Sequence, residues 1–234
     1  MGEIVSGWGC SGGREEIPVP ATLEEAVAVQ EELRQWVRLD PLGRNVRYIA
    51  GADAAYDRDT VFGAAVLMDF PGLRRIGSAV VKEPVRFPYL PGLLAFREGP
   101  VLLRAVAGLG TRPDFVIFNG HGFAHPRRIG LASHLGVLLD LPVFGVADRP
   151  MIGVVGAPGP ERGSTSSLRD GDEVIGMAVR TKEGVRPVYV SAGHRIDLAT
   201  SVKFALSTAC SYRIPEPLRQ AHLLSRAASR GQSG

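Results

Sequence analysis

The architecture turns on residues 114–147, DFVIFNGHGFAHPRRIGLASHLGVLLDLPVFGVA. Phe115-Val116-Ile117-Phe118 is apolar on consecutive residues, so both faces of that strand are expected to be covered. A Gly-rich turn, a helix from about Pro126 to Leu139 and a second apolar run, Val143 to Ala147, complete a βαβ unit. Asn119-Gly120-His121-Gly122 then falls at the carboxyl end of the first strand, where open α/β sheets bind ligands. Its glycines allow close backbone approach. In His125-Pro126-Arg127-Arg128 the spacing puts two arginines in a first helical turn, opposing the helix dipole. Such a placement is sensible if an anion, most simply a phosphate, sits at that helix end.

Upstream, Thr22-Leu23-Glu24-Glu25 has capping-box spacing, and Leu23, Ala26, Val27, Leu33 and Val37 share a face, predicting a helix from Thr22 to Arg38. Val46 to Tyr56, Val61 to Phe70 and Leu73 to Lys82 read as strands of an antiparallel meander. A helical stretch from Pro91 to Leu109 is expected to break near Gly99-Pro100 into two helices at an angle. Downstream, residues 155–172 read as a loop, Glu173 to Arg180 and Pro187 to Ser191 as strands, and Asp197 to Cys210 as a helix. After Glu216 the chain has arginines but no acid, and its end reads as frayed. The fold expected is α/β: a mixed β-sheet, an antiparallel meander followed by parallel βαβ strands, flanked by helices. Residues 1–16 would be a mobile arm, 17–224 one domain and 225–234 a frayed tail.

Composition limits the function classes. With 234 residues, 45% hydrophobic and 22% charged, the chain can bury a real core and is not globally disordered. It has no run of eighteen apolar residues and no basic stretch leading into an apolar core at its start, so neither a membrane partner nor a secretory leader is expected and the chain reads as cytoplasmic. Cys10 and Cys210 fit a reducing compartment as two inert thiols. Among 27 cationic residues only Lys82, Lys182 and Lys203 are lysines. The net charge of +3 and pI near 9.1 permit a nucleic-acid partner without requiring one.

Asp53, set among Gly51, Ala52, Ala54 and Ala55, is a carboxylate in a poorly solvated strand and needs a cation or hydrogen bonds; a salt bridge to an arginine and a metal-ligand role are the two readings. Glu98 alone reads as a solvated charge at a helix end. Tyr89 lies in a stiff Phe87-Pro88-Tyr89-Leu90-Pro91-Gly92 loop. It reads as a hydrophobic staple for the next helix, or as an aromatic able to stack on or wedge between bases.

Taken together, Ile49-Ala50-Gly51-Ala52-Asp53, Pro88-Tyr89-Leu90-Pro91-Gly92, Phe96-Arg97-Glu98, Gly120-His121-Gly122 through Arg128, Ala132-Ser133-His134, Gly145-Val146-Ala147, Val190-Ser191-Ala192-Gly193-His194-Arg195 and Tyr212-Arg213-Ile214-Pro215-Glu216-Pro217 resemble the endonuclease V family in order and spacing. The resemblance covers about Thr22 to Leu224. It implies an RNase H-like fold and a Mg²⁺-dependent nuclease, with Mn²⁺ as substitute. The substrate would be DNA or RNA containing inosine, cut one phosphodiester bond to its 3′ side; separately, the chain is expected to be a monomer. Carried over, Asp53 and Glu98 match metal-organising carboxylates and His194 a histidine near the metal. Tyr89 matches the strand-separating wedge. Gly92, Leu94, Gly120, His121, Gly122 and His125 fall with the loops around the extruded base, and Arg127 and Arg128 beside the backbone. A hard cation held by carboxylates suits phosphodiester hydrolysis, and a wedge with a glycine-lined pocket suits reading one base out of the stack.

Two positions depart from the family pattern. Asn119 stands where the family has aspartate, and Asp148, followed by Arg149, where it has lysine. An amide offers one oxygen but no charge, so metal affinity should fall; Asp148 is then a candidate replacement ligand and Arg149 a candidate phosphate contact. Three readings follow: a working nuclease with a rearranged metal site, a weakened nucleic-acid binder, or a fold reused for small nucleotide or nucleoside chemistry.

Overall fold

The computed structural model describes residue 17, residues 19–43 and residues 45–231. The expected mobile arm, 1–16, lies outside the described residues. A nine-stranded mixed sheet runs through the domain, in the order β3-β2-β1-β4-β5-β9-β8-β7-β6. β1 (Tyr48–Asp57), β2 (Thr60–Asp69) and β3 (Arg75–Pro84) form the antiparallel meander. β4 (Phe115–Asn119) lies parallel to β1, and β5 (Val143–Ala147) parallel to β4. β9 (Val188–His194) pairs antiparallel with β5, followed by β8 (Glu173–Val179), β7 (Thr165–Asp170) and β6 (Val154–Val155). This is the expected RNase H-like mixed α/β sheet.

Helices cover both faces. On one, Ala50, Ala52, Ala65 and Leu67 of the meander pack with helix α2 (Leu94–Ala107) and helix α3 (Leu131–Leu139). On the other, Ile49, Val66, Phe115 and Ile117 pack with helix α4 (Leu198–Thr208) and helix α5 (Glu216–Ser229). The period-two alternation of β1 thus sends Ala50, Ala52 and Ala54 one way and Ile49, Gly51 and Asp53 the other. Gly51 is required by close approach: a Cβ there would lie 2.2 Å from the Pro217 carbonyl carbon, so its absence lets α5 rest on the strand.

Several expectations are corrected. Helix α1 is Leu23–Arg34, shorter than predicted; Thr22 Oγ1 accepts from the Glu25 amide at 3.1 Å, while the Glu25 carboxylate accepts from the Ala21 amide at 2.7 Å. Pro100 does not split α2, which is continuous. An interior proline costs about 3 kcal/mol, but eight buried residues of α2, Phe96 and Val101 among them, hold the helix against the sheet. The 155–172 stretch is not all loop: Thr165–Asp170 gains strand geometry by pairing with β8. The tail is not frayed from 225 either, for α5 runs to Ser229 and Ser225 is wholly buried. Finally, α3 begins at Leu131 with Gly130 as its N-cap, so Arg127 and Arg128 precede the helix and do not occupy its first turn.

Candidate active site

Asp53 and Asn119 come together through register. Ala52 of β1 is level with Phe118 of β4, which places the next residues, Asp53 and Asn119, side by side at the carboxyl end of β4. Asn119 Nδ2 donates to Asp53 Oδ1 at 2.8 Å. The other carboxylate oxygen, Oδ2, accepts from His222 Nδ1 at 2.7 Å. Asp53 is 3% exposed, so these contacts replace water around a buried charge. Hydrogen bonding to Asp53, outweighing burial, raises the His222 pKa above its ordinary value. The sequence reading missed His222. The signal was present: Pro217, Leu218, Ala221 and Ser225 are the buried residues of an amphipathic α5 with proline in its first turn.

Glu98 lies in the second turn of α2, which runs on past it to Ala107, and not at the end of a broken helix. The residue is half-buried, and burial of its carboxyl group pushes its pKa up to about 8, with the Asp53 charge adding to the rise. The Tyr56 hydroxyl donates to Glu98 Oε1 at 2.9 Å, and the Arg97 guanidinium stacks on the Tyr56 ring at 4.8 Å. Burial and the neighbouring Glu98 also push the Tyr56 phenol well up.

The loops expected to hold a base form a second group. The Gly92 carbonyl accepts from Gln30 Nε2 at 3.0 Å, His125 Nε2 at 3.0 Å and Arg127 Nη2 at 3.1 Å. Gln30, buried in α1, also accepts from Arg127 Nε at 2.7 Å and donates to the Ile129 carbonyl. Gly92 itself adopts φ +82°, which a side chain would strain. Burial lowers the His125 pKa to about 4, so the imidazole is neutral, donating through Nε2 and accepting the Arg127 amide at Nδ1. His121 Nε2 lies 2.9 Å from the Arg149 carbonyl, and the Gly122 amide donates to Ser191 Oγ at 2.8 Å. Tyr89 is 68% exposed at the tip of its loop, and Leu94 opens α2 beside it.

Three expected site residues sit elsewhere than the sequence suggested, and a fourth, Asp148, is rightly placed but already engaged. Arg127 is turned inward onto Gln30 and Gly92. Arg128, in a left-handed conformation, is held by Glu173 at 2.7 Å and Asp170 at 2.8 Å. Asp148 follows β5 at the same end of the sheet as Asn119, but its carboxylate is in an ion pair with Arg213. His194 is at the wrong end: β9 runs antiparallel to β5, so His194 pairs with Val143, whereas Asn119 pairs with Val146. Three residues along a strand is about 10 Å. There the His194 Nδ1 accepts from the Arg38 amide at 3.3 Å.

The donors fit a divalent cation in type. Asp53 and Glu98 are oxygen ligands whose charges oppose one another, and rotation of the Asn119 amide would offer its oxygen. No three His, Cys, Asp or Glu side chains among the described residues already stand in a metal-binding arrangement.

An RNase H-like sheet with Asp53 and Asn119 paired at the carboxyl end of β4 and Glu98 of α2 within electrostatic reach, together with an exposed aromatic and glycine-bearing loops, defines the class. The chain belongs to the endonuclease V family: the Endonuclease V family model matches residues 31–223. It is 48% identical over 215 residues to an endonuclease V of Streptomyces coelicolor, spanning 90% of this chain and 92% of that one. The crystal structure of an endonuclease V from Streptomyces avermitilis superposes with a TM-score of 0.88 at 46% identity, covering 93% of this chain and 98% of the other. That of Ciona intestinalis endonuclease V, in complex with a 24mer DNA containing an inosine followed by a ribo-adenosine, gives 0.78 at 27% identity, with 90% and 98% covered. None of the helices among the described residues is long and apolar enough to cross a membrane.

Proposed function

We propose that this protein is a metal-dependent endonuclease acting on nucleic acid that contains inosine, cutting one phosphodiester bond 3′ of the lesion. The observation that carries the reading is the pairing of Asp53 with Asn119, with Glu98 within electrostatic reach, at the sheet end flanked by the Gly92 and His121 loops. The Ciona relative's complex with inosine-containing DNA supports the substrate class. Asp53, Glu98 and the Asn119 amide oxygen would hold Mg²⁺ or Mn²⁺, which when bound neutralises charge on the phosphoryl oxygen and activates water.

The chain's own groups do the rest. Tyr89, rigid between prolines, fills the gap left when a base leaves the stack. The shared contacts on the Gly92 carbonyl fix that loop against the His125 loop, so the two loops are held in place before substrate arrives. His222, raised in pKa and half exposed, holds a proton within reach of the Asp53 carboxylate and of the space beyond it. Asp148 places its charge on Arg213, and Arg149 beside it is exposed and available to backbone phosphate.

One observation favours a second reading. Asn119 donates its N–H to Asp53, and with His222 it occupies both carboxylate oxygens. A centre already satisfied in this way would bind inosine-containing strands and cut them slowly. End-labelled single- and double-stranded DNA and RNA with one inosine, incubated with Mg²⁺ or Mn²⁺, separates the two. Cleavage one bond 3′ of inosine supports the nuclease. Salt-sensitive binding without cleavage, converted to cleavage by Asn119→Asp, supports the binder, and neither binding nor cleavage overturns both.

A further inference from the structure

The end of the sheet opposite Asp53 has a cavity of about 450 Å³, walled by the segment after α1, the turns before β4 and β5, and the turn after β9. Arginines enter it from three separate segments: Arg38, Arg112 and Arg195. The acids in its wall are Asp40 and Asp140. Main-chain bonds clasp two of the arginines together, for the Arg195 amide donates to the Arg38 carbonyl at 2.6 Å and the Arg38 amide donates to His194. Asp140 and Arg195 both hold left-handed backbone conformations, φ 47° and 52°, which cost a residue with a side chain about 1–2 kcal/mol. The fold therefore maintains this corner against a local penalty.

Capping the carboxyl end of α3 accounts for part of the positive charge. Arg112 Nη2 donates to the Asp140 carbonyl at 3.0 Å; Arg195 Nη1 donates to the same carbonyl at 3.4 Å and pairs with the Asp140 carboxylate at 2.8 Å. Through all of this Arg195 is engaged by a single nitrogen, and a guanidinium has five N–H donors. The exposed Arg38 guanidinium has no acid within ion-pair reach among the described residues. Asp140 is committed to Arg195. Asp40 is the remaining carboxylate, and it would accept from hydroxyls while repelling an anion set against it.

We infer that this cavity is a second binding site, taking the phosphate of a nucleotide-sized ligand on Arg38 and Arg195 and a sugar hydroxyl on Asp40. The room is that of a small-molecule site, and arginine forks match phosphate oxygens two at a time. The phosphate comes either from a free nucleotide or from the 5′ end of a short strand. At the far end of the sheet from Asp53, the site has its own ligand, independent of inosine recognition.

Isothermal titration with adenosine 5′-monophosphate, adenosine, inorganic phosphate and a 5′-phosphorylated trinucleotide tests this, the base being one other than hypoxanthine. Binding of the monophosphate but not of adenosine, weakened about tenfold or more by Arg38→Ala and by Arg195→Gln, is expected. Truncating Arg38 leaves the main-chain bonds to His194 and Arg195 in place, so this variant folds. The trinucleotide binding more tightly than the monophosphate would make a strand end the source; the reverse would make it a free nucleotide, and inorganic phosphate binding alike would place recognition in the phosphate alone. Adenosine binding as well as its monophosphate, no phosphate compound binding at millimolar concentration, or binding unchanged in both variants would overturn the inference. Anisotropy with a labelled inosine strand should be the same in wild type and both variants, keeping a failure here distinct from a failure of the proposed function.

Discussion

The two ends of the sheet are built from similar residues and do opposite things with them. Each has a histidine and an aspartate in contact or near contact. At the Asp53 end the carboxylate accepts from Asn119 and His222 and its charge adds to the rise of Glu98, which burial drives up to about 8. At the His194 end Asp140 is 57% exposed and paired with an arginine, and it is the histidine that burial perturbs, down to about 4. Neighbouring acids, one of which raises the pKa of the other, mark a place where a cation would be stabilised, and gathered arginines mark the converse. The presence of a histidine and an aspartate does not separate the ends; what gathers around them does, a second acid at one and arginines at the other.

Removing the acid at the first end should have the largest effect. Asp53→Ala takes away the group that Asn119 and His222 both bind, and cleavage of an inosine-containing strand should fall by about a thousandfold or more, with the fold retained by circular dichroism. If the rate falls less than tenfold, the Asp53 end is not where the chemistry occurs and the comparison collapses.

Asn119→Asp comes next. It replaces an N–H donor to Asp53 by a third carboxylate beside Asp53 and Glu98, which should tighten Mn²⁺ binding by about tenfold or more in titration calorimetry and raise the cleavage rate in parallel. Unchanged affinity would mean that the Asn119–Asp53 hydrogen bond does not compete with a cation.

The β1 to β5 frame was legible because apolar runs and turn residues report burial directly, and the linked motifs were legible because they lie on strand ends and loops. What the sequence did not disclose were consequences of pairing in space. His194 and His222 are both histidines in plausible settings; only the antiparallel run of β9 and the seating of α5 on Gly51 put His222, and not His194, beside Asp53. Arg127 and Arg128 looked like phosphate ligands because their true partners, Gln30 and the Asp170–Glu173 turn, are 97 and about 40 residues away. Glu98 looked solvated because proline was expected to end its helix. Asp148 was rightly placed at the end of β5, but its partner Arg213 could not be read from spacing.

Titration separates the ends more gently. Glu98 has a folded pKa raised above its unfolded value, so the native state holds a proton that the unfolded chain has released. The contribution of Glu98 to stability is complete below about pH 4.5 and is lost as pH rises through about 8. Glu98→Gln should flatten the decline in denaturation free energy between pH 5 and pH 8. A variant with the same slope as the wild type would show that Glu98 does not titrate as its surroundings require.

The smallest effect is expected at the other end, and it is the sharpest check on the contrast. His194 is buried, and its lowered pKa means that it is neutral at pH 7, accepting the Arg38 amide and lying 3.8 Å from Asp140. His194→Ala removes that acceptor and should cost about 1–2 kcal/mol of stability, read from urea unfolding. Because the folded pKa is depressed below the unfolded one, the wild type should lose this contribution as pH falls from about 6.5 through 4, and the variant should not. Cleavage of an inosine-containing strand should stay within about twofold of wild type, since some 10 Å of strand separates His194 from the row of Asn119. A large loss of cleavage without loss of stability would return His194 to the chemistry and show that the two ends are one site.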